Sequence, residues 1–200
     1  MAVTGERFAQ GMSYDEFKQQ MTRNRERLEA NELSVQLRPE DLAAFKNLPQ
    51  PLDVLVLAED WCADVIDNLP VLERIAEESG KLNLRIFLRD QHPDLMDQFL
   101  NQGQFRSIPV FAFFDGQFNE IGHFIERPQS VTARRAELRR EIHARHPEFG
   151  SPETPITQVP EDVRPQLMVA ITERREETKQ QDNQDVVTAL REIVERVPAA

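Results

Sequence analysis

The sequence predicts an α/β fold: a small mixed sheet flanked by helices, with further helical segments at both ends. Three observations predict it. The run Leu52-Asp53-Val54-Leu55-Val56-Leu57-Ala58 is almost continuously apolar, the pattern of a strand buried on both faces. Helix-like and strand-like periodicities alternate after it as far as Gly103. Asp115-Gly116 then separates two apolar runs of strand length, which marks a hairpin.

Each element follows in order. Ser13 and Glu16 have capping-box spacing, and Tyr14, Phe17, Met21 and Leu28 extend one helical stripe to about residue 30. A short second helix from Pro39 carries Leu42, Phe45 and Leu48 and stops at Pro49 and Pro51. Residues 1–51 are therefore expected to form an N-terminal helical extension, and residues 52–127 the core domain. Within the core, Val65, Ile66, Leu69, Leu72 and Ile75 define a helix closed by Gly80. Leu82, Leu84, Ile86 and Leu88 alternate as a second strand. Pro93 opens another helix through Leu95, Met96, Phe99 and Leu100, ended by Gly103. Ile108 to Phe114 is expected as the third strand and Phe118 to Phe124 as the fourth.

Residues 128–200 are expected to form a C-terminal helical extension. It begins with an arginine-rich helix over 131–146, in which Arg134, Arg135, Arg139, Arg140 and Arg145 are interleaved with Glu137 and Glu141, read as a salt-bridged exposed face before an anion- or partner-binding one. Prolines at 147, 152, 155, 160 and 165 then predict an irregular wrap or linker. A polar stretch leads to Val186, Val187, Leu190, Ile193, Val194 and Val197, an apolar stripe that must pack on its own domain or on a second subunit. The second case predicts a homodimer through the C-terminal helix.

Two hundred residues suffice for one well-filled core with extensions. A formal charge of −11 argues against a nucleic-acid partner, because phosphate binding needs a local excess of positive charge. The first residues hold no apolar stretch fit for a signal peptide, and no run approaches the roughly 20 apolar residues of a membrane span. A cytoplasmic protein without a membrane partner is expected. The single cysteine excludes an internal disulfide. The sequence has no phosphate loop, dinucleotide fingerprint or serine-hydrolase elbow, and His92, His123, His143 and His146 lack metal-ligand spacing with Cys62. No cofactor or metal is expected.

Trp61-Cys62-Ala63-Asp64, between a buried strand and a helix, is where chemistry is expected. A thiol at a helix N-terminus lies near unpaired backbone N–H groups and the positive end of the helix dipole, and both favour the nucleophilic thiolate. Asp64 opposes them, so a modest fall in the thiol pKa is expected. Glu59 and Asp60 are candidate proton carriers, although acids at a strand end are more often solvated surface.

Residues 52–125 resemble the thioredoxin superfamily, whose active site reads Trp-Cys-x-x-Cys at this strand-to-helix junction. Pro109 matches the family's cis-proline, which lies beside the active-site cysteine, and Asp115-Gly116 matches its hairpin turn. Glu59 to Asp64, with Asn68-Leu69-Pro70-Val71-Leu72, looks closest to a bacterial thioredoxin-like subgroup bearing an N-terminal helical extension. The resemblance implies a thioredoxin-like fold, a catalytic Cys62, and a substrate groove shaped by Trp61, Ile108 and Pro109. The chain departs from the pattern at two positions. Val65 stands where the second cysteine falls, and Val56 where the family buries an acid. A dithiol cycle within one molecule is excluded. Three readings of Cys62 stand: a monothiol oxidoreductase exchanging with a small thiol such as glutathione or bacillithiol, a redox-inactive binding or assembly module, or a cysteine kept for packing. The partner is accordingly a protein or a low-molecular-weight thiol or disulfide.

Overall fold

The computed structural model describes residues 3–197; the outermost residues of both expected extensions, 1–2 and 198–200, lie outside the described residues. The chain forms two compact units: one runs through Arg127 and resumes at Val186, and the other is Pro128–Asp185. The tail expected from residue 128 is thus divided between them.

The first unit holds a sheet of four strands, β1 (Leu52–Ala58), β2 (Leu82–Leu88), β3 (Val110–Phe114) and β4 (Glu120–Ile125), in the order β2-β1-β3-β4. β1 pairs in parallel with β2, from Leu52 beside Leu82 to Ala58 beside Leu88. It pairs antiparallel with β3, and β3 antiparallel with β4. Val54, Leu55, Val56 and Leu57 are all fully buried, so both faces of β1 are covered, as its continuous apolar sequence requires.

The helices of this unit are α1 (Gly5–Phe8), α2 (Tyr14–Gln20), α3 (Arg25–Ser34), α4 (Pro39–Lys46), α5 (Ala63–Ser79) and α6 (Pro93–Met96). α2 opens on the expected capping box of Ser13 and Glu16. The single helix expected to about residue 30 is instead two. The Asp60 carboxylate accepts from the backbone N–H groups of Thr22 and Arg23 and from the Thr22 hydroxyl, while the Asn24 side chain donates to the Asp60 carbonyl. These bonds capture the backbone that would have continued the helix, and Asn24 turns into the left-handed region at φ 56°.

α5 contains Pro70, which has no N–H to give the Ile66 carbonyl. The buried Asn31 side chain of α3 donates to that carbonyl at 2.8 Å. Gly80 closes α5 at φ 63°, a left-handed cap that glycine adopts without a Cβ penalty.

Three other boundaries differ from expectation. α6 is only four residues long; the backbone N–H groups of Gln98 and Phe99 bond three residues back, and left-handed Gln102 and Gly103 then reverse the chain. β3 starts at Val110 rather than Ile108, after a cis Ile108–Pro109 peptide. β4 starts at Glu120 because the Asp115 carboxylate accepts from the N–H groups of Gln117 and Asn119, building a wider loop than a two-residue turn. Phe118 leaves the strand at φ 60° and packs against Phe8 and Phe114.

In the second unit, α7 (Gln129–Arg145) and the greater part of α8 (Arg164–Val194) enclose a small core of Ile142, Phe149, Val159, Leu167 and Ile171. Phe149 and Val159 come from the proline-rich stretch, where Pro147–Phe149 and Ile156–Gln158 form 3-10 turns. The arginines of α7 are bonded as expected: Arg134 to Asp182 and Asp185, Arg140 to Glu137. Arg139 donates to the Thr154 carbonyl. From Val186 onward α8 belongs to the first unit, where Val186, Val187, Leu190, Ile193 and Val194 join the main core. The stripe behind the expected homodimer is thus occupied within its own chain. No helix among the described residues is long and apolar enough to cross a membrane.

Asn31→Ala leaves the Ile66 carbonyl buried without a donor. Urea unfolding should show a loss of about 1–3 kcal/mol.

Candidate functional site

The topology delivers the site. β1 and β2 are parallel and end together at Ala58 and Leu88, so Glu59–Cys62 and Arg89–Asp90 leave the sheet at one edge. β3 begins at that edge, which brings in Ile108 and Pro109, and β4 ends there beside Val110, which brings in Glu126 and Arg127.

Cys62 is the N-cap residue of α5 and is half-buried. Its S–H donates to the Ile108 carbonyl at 3.5 Å, which joins the strand-to-helix turn to the cis-proline segment. Trp61 is 42% exposed beside it. Cys62, Trp61, Ile108 and Pro109 are therefore assembled in one place.

The thiol's protonation differs from the expected modest fall: its pKa is raised. Burial is the largest cause, because desolvation penalises the thiolate. The Val65 N–H works against burial, then the Asp64 charge adds to the rise, and the Asp64 N–H and Arg89 favour the thiolate more weakly. Neither amide reaches capping-bond geometry with the sulphur. Val65, where a second cysteine falls in the family pattern, is fully buried in the main core.

Asp64 is paired with Arg127, which also contacts Glu126 at 2.8 Å. The buried Asn68 side chain donates to the Glu126 carbonyl, fixing the same segment. Arg89 lies over the Trp61 ring, 4.8 Å from its centroid, and donates to the Arg106 carbonyl at 3.1 Å. Sequence reasoning missed Arg89, Arg127 and Asn68. A signal existed for Arg89: in a parallel pair, residues just past one strand's end face those just past the other's.

Glu59 and Asp60, the candidate proton carriers, both accept hydrogen bonds from backbone N–H groups of other segments. Glu59 is buried and accepts from the Asp90 N–H at 2.8 Å. Burial raises its pKa most, and the Asp90 N–H opposes the rise. Asp60 is spent on Thr22 and Arg23. His92 contacts Arg7, His123 Glu120, His143 the Gly150 carbonyl and His146 Glu148, and among the described residues no three metal-ligating side chains gather.

A sulfhydryl on the N-cap residue of a helix, beside a cis-proline and at the edge of a β2-β1-β3-β4 sheet, defines a thioredoxin-like protein. A family model described as thioredoxin matches residues 11–139, more than half of the sequence, and the chain belongs to that family. No curated protein matches it. Among solved structures, a protein of unknown function from Pseudomonas aeruginosa is similar at TM-score 0.67 and 18% identity, with 99% of this chain and 100% of that one covered. An HIV epitope-scaffold is similar at TM-score 0.65 and 17% identity, with 98% and 100% covered. At these identities the likeness is one of fold.

A separate polar recess of about 260 Å³ is lined by Tyr14, Lys18, Glu32, Glu73 and Arg74 among others. The Tyr14 hydroxyl donates to Glu32, and Lys18 pairs with Glu32 at 3.2 Å. Glu73 is pushed up to about 7, first by burial and then by Glu77, Asp15 and Glu32.

Two predictions follow from these charges. Removing the Asp64 charge with Asp64→Asn should lower the Cys62 pKa and speed its alkylation by iodoacetamide at neutral pH, by about threefold. The folded protein holds the Glu73 proton more tightly than the unfolded chain does. The stability from that proton is complete below the ordinary glutamate pKa and is lost as pH rises through about 7. Glu73→Gln should therefore be more stable than the parent at pH 8, by roughly 1 kcal/mol in urea unfolding after allowance for solvent screening, with the gap closing toward pH 4.

Proposed function

We propose that this thioredoxin-family protein performs single-thiol exchange at Cys62, with an external small thiol in the role of the absent second cysteine. One observation carries the reading: the chain's sole sulphydryl stands at the α5 N-terminus, 3.5 Å from the carbonyl that precedes Pro109. The Cys62 thiolate attacks a disulfide R–S–S–R′, a Cys62–S–S–R bond forms, and R′S⁻ leaves. A small thiolate then attacks the R sulphur of that mixed disulfide, forming a new disulfide with R and returning the Cys62 thiolate. One disulfide is exchanged for another, with no net oxidation. The raised thiol pKa makes the first step slow at neutral pH, since only the thiolate attacks.

A second reading, a redox-inactive binding or assembly module, draws on the same burial, which holds the thiol protonated and bonded to Ile108.

Incubation of the full chain with oxidised glutathione separates the two. The exchange reading expects one adduct per chain by mass spectrometry, absent in Cys62→Ser and released by dithiothreitol. Its rate should rise about tenfold per pH unit below the thiol pKa. A folded protein that forms no adduct even at pH 9 is a binding module.

A further inference from the structure

We propose that Arg89 is the positioning residue of the Cys62 thiol, fastening the two walls of the site to each other with one guanidinium. The inference rests on the reading of Cys62 as the exchanging thiol. One wall is the Trp61-Cys62 turn that follows β1. The other is the segment that enters β3, whose Ile108 carbonyl accepts the thiol proton. Arg89 touches both: its guanidinium lies 4.8 Å from the Trp61 ring centroid, and its Nη1 donates at 3.1 Å to the carbonyl of Arg106, two residues before Ile108.

The side chain is itself held in place. The Arg89 backbone N–H donates to the Ala58 carbonyl at 3.1 Å, so its origin is fixed at the sheet edge. Its Nε donates to Asp90 at 2.9 Å, so the plane of the fork is set. Only arginine serves here. A planar, delocalised cation can cover an indole face while its edge donors reach a carbonyl and a carboxylate; an ammonium on a flexible stem has no such fork.

Arg89 also supplies positive charge to the thiolate. Around Cys62 stand Asp64 on α5, Glu59 and Asp60 after β1, Arg89 and Asp90 after β2, and Glu126 and Arg127 after β4. Asp60 is bound to Thr22 and Arg23, Glu59 to the Asp90 N–H, and Arg127 to Asp64. Arg89 thus opposes Asp64 at the sulphur while it also holds the hydrogen-bond acceptor in position. This double role separates it from a residue that only stabilises the fold.

The test uses the full chain with Arg89→Gln and Arg89→Lys, read by the pH profile of iodoacetamide alkylation at Cys62 and by the emission of Trp61, the sole tryptophan. Arg89→Gln should move the alkylation midpoint upward and slow the reaction about threefold below it. It should also shift Trp61 emission to the red as the indole face is uncovered. Arg89→Lys should restore the alkylation rate only in part and keep the red shift, because the charge returns and the fork does not. An unchanged alkylation profile in Arg89→Gln overturns the proposal. Should that variant fail to fold, parental emission in Arg89→Lys overturns it instead. Alkylation and emission require no disulfide, so this result is independent of the glutathione test: both expected shifts without an adduct keep Arg89 in its role and remove only the exchange reading.

Discussion

Burial of β1 on both faces is the constraint from which the rest of the first unit follows. A strand covered on both sides needs hydrogen-bonding partners along both edges, and β1 has them: β2 in parallel, β3 antiparallel. The parallel pairing fixes where the chemistry lies. Because β1 and β2 run the same way and end opposite each other, both must discharge their following loops at one edge. The antiparallel β3 must enter at that edge, and β4, antiparallel again, must return to it. Strand direction brings four segments distant in sequence to that edge, and their side-chain bonds are made on arrival. Cys62, Arg89, Ile108 and Arg127 are neighbours because of strand direction.

The acids before the cysteine show how such an edge is held. Glu59 and Asp60 resemble solvated charges in sequence, yet each takes backbone N–H groups from another segment: Glu59 from Asp90, Asp60 from Thr22 and Arg23. Asp60 thereby ties the N-terminal helices to the turn that carries Trp61 and Cys62. The same helices are tied again where Asn31 repairs the Ile66 carbonyl that Pro70 leaves without a donor. The N-terminal extension therefore packs as part of the site's support, and two polar side chains with satisfied bonds set its position.

What the sequence made legible was what periodicity and local geometry control. The seven residues of β1, the α5 stripe with its Gly80 stop, the capping box at Ser13 and the cis-proline match at Pro109 were all readable. What was not readable was long-range. Nothing near Met21 announces that Asp60, far along the chain, will break a helix there. Nothing in Asp115-Gly116 says that Phe118 will leave its strand to pack on Phe8. In the proline-rich stretch, composition spoke for an irregular wrap or a linker, and nothing in it marked Phe149 and Val159 as core residues of a separate unit. The thiol's protonation failed for a related reason: the helix dipole and Asp64 are visible in sequence, but the burial that outweighs the favourable groups arises only from tertiary packing.

That burial bears on what a lone thiol can do. Lowering the pKa of a cysteine gives more thiolate but a weaker nucleophile, and makes the same sulphur a better leaving group. Raising it does the reverse: thiolate is scarce, each one attacks more strongly, and once bonded the sulphur leaves less readily. In a dithiol member of the fold the neighbouring cysteine ends the mixed disulfide promptly. Here Val65 fills that position and is sealed in the core, so an exchange at Cys62 would need an external thiol to resolve it. On the exchange reading, a buried and protonated Cys62 is then suited to slow capture and long retention of a partner rather than rapid turnover. The two readings of the site differ less than their names suggest, since a mixed disulfide that leaves slowly is itself a form of binding.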